Sequence, residues 1–215
     1  MLASGVYAGH FGHVLSTERS FFGVYRISND DANGLRTLFH GSTVHGIQSL
    51  DPARACEPLA YYTRSGPIGQ VFAAYAGEAV ENQVAIVGLG AGALAAYQTP
   101  GGQFTFYEID PLVERIARDP RYFTYLSNCA PQARVVLGDA RLSLDEAPDH
   151  AYGIIVLDAS AAIPFQCISS RVRPCEFTSA NSPPAACWRF TSVTATWIFT
   201  RSLATWPTTL DWCVS

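Results

Sequence analysis

Three carboxylates stand at comparable places in this chain: Glu108, Asp139 and Asp158 each close a short apolar run, at residues 104–107, 134–137 and 152–157. A fourth run, residues 84–87, leads directly into Gly88, Gly90 and Gly92. A carboxylate at the end of a strand can accept hydrogen bonds from ribose hydroxyls, hold an amino group, or take a proton from an attacking amine. Glycines in a tight turn permit positive φ and leave no Cβ between the backbone and a ligand. The chemistry implied is the binding of a nucleoside-containing ligand beside an acid.

Such groups need a scaffold that delivers them to one place. Residues 83–110 read as a strand, a glycine turn, a helical stretch over residues 93–97 and an acid-tipped second strand, the opening of a nucleotide-binding βαβ unit. The alternation then continues: a helix with Pro111 in its first turn and Leu112, Val113, Ile116 and Ala117 at helical spacing, a further helical stretch toward Leu126, a third strand at Arg134–Leu137, and a fourth at residues 152–157. In a parallel sheet ligands bind at the carboxyl ends of strands, so all three acids share one crevice. The competing use of these positions is helix capping.

Upstream, residues 19–28 and 34–43 are strand-like runs joined by a polar connection ending in Asn33-Gly34, and residues 44–50 form a third strand. His40 and His45 flank this antiparallel module as polar strand-edge residues. Residues 69–75 read as a helix leading into the glycine stretch. Tyr61, Tyr62 and Arg64 either line a pocket or cover the join between modules.

Composition narrows the classes. The net charge of −4 gives no basic footprint for nucleic acid. No apolar run is long enough to span a bilayer, and residues 1–14 lack the pattern of a signal peptide, so a cytoplasmic protein is expected. The six cysteines show no CxxC pair and no metal-ligand spacing. Cys56 and Cys129 read as free thiols in a reducing compartment, and no metal is expected. All 14 basic residues are arginine, for which there is no functional account.

VGLGAGALA, YEIDP, VVLGDAR and IIVLDA, in this order and preceded by HGSTVHGIQSLDP and EPLAYYTRSGPIGQVF, resemble the spermidine synthases (polyamine aminopropyltransferases) over about residues 18–159. The resemblance implies an α/β protein, with a small N-terminal antiparallel β module (residues 1–80 with its linking helix) before a truncated methyltransferase-like Rossmann domain (residues 81–159). It implies transfer of an aminopropyl group from decarboxylated S-adenosylmethionine to putrescine or a similar amine. Carried over by position, Gly88, Gly90 and Gly92 wrap the cofactor's aminopropyl or methionine-like end, Glu108 holds the ribose, and Asp139 with Ala140 binds the adenine amino group. Asp158 is the catalytic acid, Gln48 reaches the ligand from the β module, and Tyr62 lies by the amine. A homodimer and descent from a longer membrane-fused protein are further expectations of the resemblance. The glycine turn lacks the family's following aspartate, Thr63 and Arg64 replace a common histidine and acid, and a second acid after Asp158 is missing. The alternatives are an ordinary S-adenosylmethionine-dependent methyltransferase and a non-catalytic nucleoside-binding protein.

Beyond Ala159 the vocabulary changes. All 17 glycines, all ten tyrosines and all five histidines precede Ser160, whereas all four tryptophans follow Ala159. Restoring one T in the codon after Ala159 turns SAAIPFQCIS into FSSDSIPVHL, which recovers the missing acid and the family pattern. Residues 160–215 therefore read as an out-of-frame tail, expected to be poorly ordered and to leave the sheet ending at its fourth strand, with little or no activity in the chain.

Overall fold

The computed structural model of the chain describes residues 12–77, 83–148, 151–158, 187–193 and 196–202. The architecture is α/β: an antiparallel four-stranded sheet followed by a predominantly parallel sheet flanked by helices. The first sheet contains β1 (His13–Arg19), β2 (Val24–Asp30), β3 (Leu35–His40) and β4 (Thr43–Ser49), in that order. Its hairpins follow local chemistry. Asp30 accepts from the Asn33 backbone N–H at 3.1 Å and from its side-chain amide at 2.7 Å, and Gly34 supplies a φ of 65°. Alternation places Tyr25 and Ile27 of β2 inward, where they join Leu38 of β3 in the core.

β1 is a strand that the sequence does not signal. It is an edge strand with mostly exposed residues, so no core-facing face imposes alternation on it. The three expected strands are thus four.

The second sheet comprises β5 (Gln83–Val87), β6 (Gln103–Glu108), β7 (Arg134–Leu137), β8 (Ile154–Leu157), β9 (Cys187–Val193) and β10 (Thr196–Ser202), in the spatial order β7-β6-β5-β8-β10-β9. β5, β6, β7 and β8 are parallel. The chain leaves β5 toward β6 and β7 and returns to β5's other side as β8, so the order reverses between β5 and β8. That reversal opens a crevice at the strands' carboxyl ends.

One sheet face carries Val84, Ile86, Phe104, Phe106, Ile154 and Val156. It packs with Ile68 and Phe72 of α1 (Pro67–Ala74) and Leu112, Val113, Ile116 and Ala117 of α2 (Pro111–Arg118). The other face carries Ala85, Val87, Tyr107, Ile155 and Leu157 with Ala140 of α3 (Ala140–Asp145). Strands buried on both faces read as continuous apolar runs, which is why β5 and β8 are visible in the sequence.

Residues 93–97 form the expected helical stretch, as a 3-10 helix. Three expectations are corrected. The stretch beyond α2 is a π-helical turn at Tyr125–Cys129 rather than a helix ending at Leu126. The sheet does not end at β8: β10 pairs with it antiparallel, with Trp197 opposite Leu157 and Thr200 opposite Ile154. Residues 187–202 are rich in β-branched and aromatic types, enough to form a hairpin on an open edge. The remainder of the 160–215 tail lies outside the described residues. Finally, Cys56 and Cys129 are not free thiols but a disulfide, with Cα atoms 5.7 Å apart and a separation of 73 positions in sequence. The fold brings the β4–α1 connection against the π-turn, a juxtaposition that spacing cannot reveal. The free-thiol ground for a reducing compartment falls with it. No helix among the described residues is long and apolar enough to cross a membrane.

Candidate functional site

The crevice is built around the glycine turn after β5. Gly88, Gly90 and Gly92 have φ of 101°, 53° and 83°, conformations that a side chain would strain. Part of this freedom serves packing between the modules. A Cβ on Gly90 would collide with the His45 carbonyl oxygen, and one on Gly46 with the Cβ of Ala91. The Ala91 N–H donates to that same His45 oxygen at 3.2 Å. β4 therefore lies directly on the turn, backbone against backbone.

Glu108 ends β6 and is 8% exposed. One carboxylate oxygen accepts from the Leu89 N–H in the glycine turn at 3.0 Å, and the other from the Asp110 N–H at 3.0 Å. Burial raises its pKa above the ordinary carboxylate value. The backbone N–H groups of Asp110, Leu89 and Ile109 oppose that rise, and the Asp110 charge adds to it. A carboxylate so held is short of solvation and keeps unused lone pairs for incoming hydroxyl donors.

Asp158 follows β8, on the other side of β5. Its backbone N–H donates to Val87 O at 2.8 Å, which anchors it beside the start of the glycine turn. Its carboxylate accepts from the Tyr62 hydroxyl. Tyr62 lies in a short 3-10 turn, Ala60–Tyr62, entered through Ala60 at φ 58°, and the Tyr97 hydroxyl donates to its carbonyl. The Tyr61 oxygen is 3.3 Å from that of Tyr62, and Tyr61 itself donates to Val44 O at 3.2 Å. Burial, and then the Asp158 charge, hold Tyr62 well above its usual pKa. The same causes push Tyr61 up to about 12. Both remain protonated donors at neutral pH, Tyr62 toward the Asp158 carboxylate and Tyr61 toward the Val44 carbonyl.

The other expected residues take these places. Asp139 caps α3, accepting from the Arg141 N–H at 2.8 Å, and its carboxylate is about half exposed, 3.6 Å from the Arg141 guanidinium. Ala140 is buried beneath it. Gln48 is buried in the seam between modules. It donates to Ala55 O at 2.9 Å and Thr124 Oγ1 at 3.0 Å, and accepts from Thr124 N at 3.0 Å. The structure thus joins Glu108, the glycine turn, Asp158 and Tyr62 around the β5–β8 reversal, whereas Gln48 makes its bonds across the seam. Arg64 donates to Ala96 O and lies over the Tyr97 ring at 5.2 Å, covering the join. His40 and His45 have ring centroids 5.2 Å apart, and burial, then His40, lower the His45 pKa. Among the described residues no group of three His, Cys, Asp or Glu is arranged to hold a metal.

Sequence reasoning passed over Ile109, Leu137 and Leu142. They sit at or just beyond the ends of β6 and β7 and are 52%, 46% and 57% exposed. Large apolar side chains left in water beside strand-end acids offer a face for a flat aromatic ligand. Their signal was an apolar residue standing outside the periodic pattern of its element.

No protein-family model matches the sequence, and no curated protein matches it. Among solved structures, a probable spermidine synthase from Corynebacterium glutamicum overlays with a TM-score of 0.56 at 16% identity, over 72% of this chain and 55% of that one. A spermidine synthase from Thermotoga maritima overlays with a TM-score of 0.47 at 14% identity, over 88% and 72%. The shared fold rests on the first of these. The chain spans about half the length of that probable spermidine synthase, and the likeness between them is one of fold.

Proposed function

We propose that the crevice binds an adenosyl sulfonium and that its chemistry is transfer of an aminopropyl group from decarboxylated S-adenosylmethionine to putrescine or a similar amine. The observation that carries this reading is the Tyr62–Asp158 pair, donor to carboxylate across 96 residues of sequence, at the strand-order reversal and beside the glycine turn. The residues suit the ligand. Glu108 is a buried acceptor for ribose hydroxyls, Ile109 and Leu142 offer apolar surface to a purine, and the glycine turn, tied to Glu108 through the Leu89 N–H, is proposed for the sulfonium end. Asp139, with Ala140, is proposed for the adenine amino group, and Gln48 supports the ligand from the seam.

The sulfonium, when bound, supplies an activated leaving group, so positioning does most of what remains. Asp158 binds the acceptor amine and takes its proton as the nitrogen attacks the aminopropyl carbon. The new N–C bond forms, the C–S bond breaks with its electrons passing to sulfur, and a neutral thioether, methylthioadenosine, leaves. Tyr62 remains protonated throughout and fixes the Asp158 carboxylate.

The test is turnover by the purified chain. With decarboxylated S-adenosylmethionine and putrescine, release of methylthioadenosine and spermidine supports the reading, even at a low rate. Methyl transfer from S-adenosylmethionine, with none from the decarboxylated form, would replace it with a methyltransferase. Binding of methylthioadenosine with no turnover of either would leave a nucleoside-binding protein.

A further inference from the structure

A hydroxyl of the β module reaches the acid pair at the end of β6. Ser20, in the turn between β1 and β2, donates its hydroxyl to the Asp110 carboxylate. The Ser20 oxygen accepts from the Phe22 N–H at 3.0 Å, so its single proton is turned away from the turn and toward Asp110. Asp110 is 1% exposed. Its other carboxylate oxygen accepts from Leu112 N at 2.9 Å, which starts α2, and its own N–H is one of the two that hold the Glu108 carboxylate. The second is Leu89 N–H in the glycine turn. The Tyr25 hydroxyl faces the same Asp110 carboxylate. One chain of hydrogen bonds therefore runs from the β1–β2 turn, through Asp110, to Glu108 and the glycine turn.

We infer that Ser20 is a positioning residue for the nucleoside site: through Asp110 it sets the orientation in which Glu108 meets the ribose hydroxyls. The physical argument is that Asp110 and Glu108 are two buried acids, two residues apart, and that the Asp110 carboxylate lies where its charge bears on Glu108. A fixed hydroxyl donor on Asp110 holds its carboxylate in one orientation and locks its peptide, so the N–H aimed at Glu108 cannot drift. Without that donor, Asp110 is a buried carboxylate lacking one partner, and its peptide is free to relax away from Glu108. The inference rests on Glu108 as the ribose acceptor.

Titration calorimetry of the full chain with adenosine and with 2′,3′-dideoxyadenosine tests it, because the two ligands differ only in the hydroxyls at issue. The parent should prefer adenosine by about tenfold or more, the worth of a hydrogen bond to a charged group. Ser20→Ala should narrow that preference by about threefold or more, the low end of coupling within one hydrogen-bond network. Ser20→Thr, which restores the hydroxyl, should recover it. A merely structural serine would change the affinity for both ligands alike and leave their ratio untouched, and that result overturns the inference. A parent chain that does not prefer adenosine overturns the ribose role of Glu108, and the inference with it.

Discussion

The Tyr62 hydroxyl and the Asp158 carboxylate meet across 96 positions of sequence, and each can be removed without much loss of volume. Asp158→Asn should leave the affinity for methylthioadenosine within about twofold of the parent and lower any aminopropyl transfer by about 100-fold or more, the scale of a lost general base. Parallel binding and turnover measurements check both halves. Glu108→Ala should do the opposite, weakening the nucleoside by about 1.5–3 kcal/mol. Glu108 also sets a pH dependence. Its folded pKa is raised above 4.5, so its ionisation costs stability. That cost is absent below the unfolded value and accrues as pH rises through the folded value. Affinity for ribose moves the other way, since only the carboxylate accepts from two hydroxyls. Acidification toward 4.5 should therefore weaken adenosine binding, and the dependence should vanish in Glu108→Ala; an unchanged pH profile in that variant would exclude Glu108 as its source. At this scale the sequence was informative where an acid ended an apolar run, as at Glu108 and Asp158. It was silent on Ser20 and Asp110, 90 residues apart, because only folding brings them together.

Among the elements, β4 and the glycine turn pack backbone against backbone. Gly46 and Gly90 clear space for the Ala91 side chain and the His45 carbonyl. Gly46→Ala should accordingly destabilise the chain by about 1–3 kcal/mol, as overpacking does, with a lower midpoint of thermal unfolding. A neutral effect would mean that the seam is loose. The Cys56–Cys129 disulfide closes the same seam beside the Gln48–Thr124 bonds, and closing 73 residues of chain is worth up to about 4 kcal/mol in the entropic account. Reduction with a dithiol should lower the unfolding midpoint, and Cys56→Ala should reproduce the loss and abolish the response to the dithiol. β5 and β8 were readable because burial on both faces leaves unbroken apolar runs, and α2 because its buried stripe recurs at helical spacing. β1, the π-helical turn at Tyr125–Cys129 and the disulfide were not. An exposed edge, a five-residue turn and a pairing created by packing leave no periodic trace.

For the whole molecule, the described structure joins a four-stranded β module to a Rossmann-like sheet whose β8 edge is covered by β10 rather than left open. The backbone pairing of residues 187–202 is compatible with the change of vocabulary at Ser160, because a run of Thr, Trp, Ile and Phe forms strands on propensity alone. An out-of-frame origin for residues 160–215 predicts one additional T in the codon after Ala159 when the gene is resequenced from independent isolates. Reads that all lack it would establish the tail as encoded. With that base restored, a phenylalanine and an acid follow Ala159, and turnover should exceed that of the present chain. The proposed nucleoside site is built from residues 12–158 and should bind in either case. Titration of the present chain with methylthioadenosine therefore tests the central claim most directly. Saturable one-to-one binding that Glu108→Ala weakens by about tenfold or more, and Asp158→Asn leaves unchanged, is the predicted result. No binding by the folded parent, or equal binding by the parent and both variants, would contradict it.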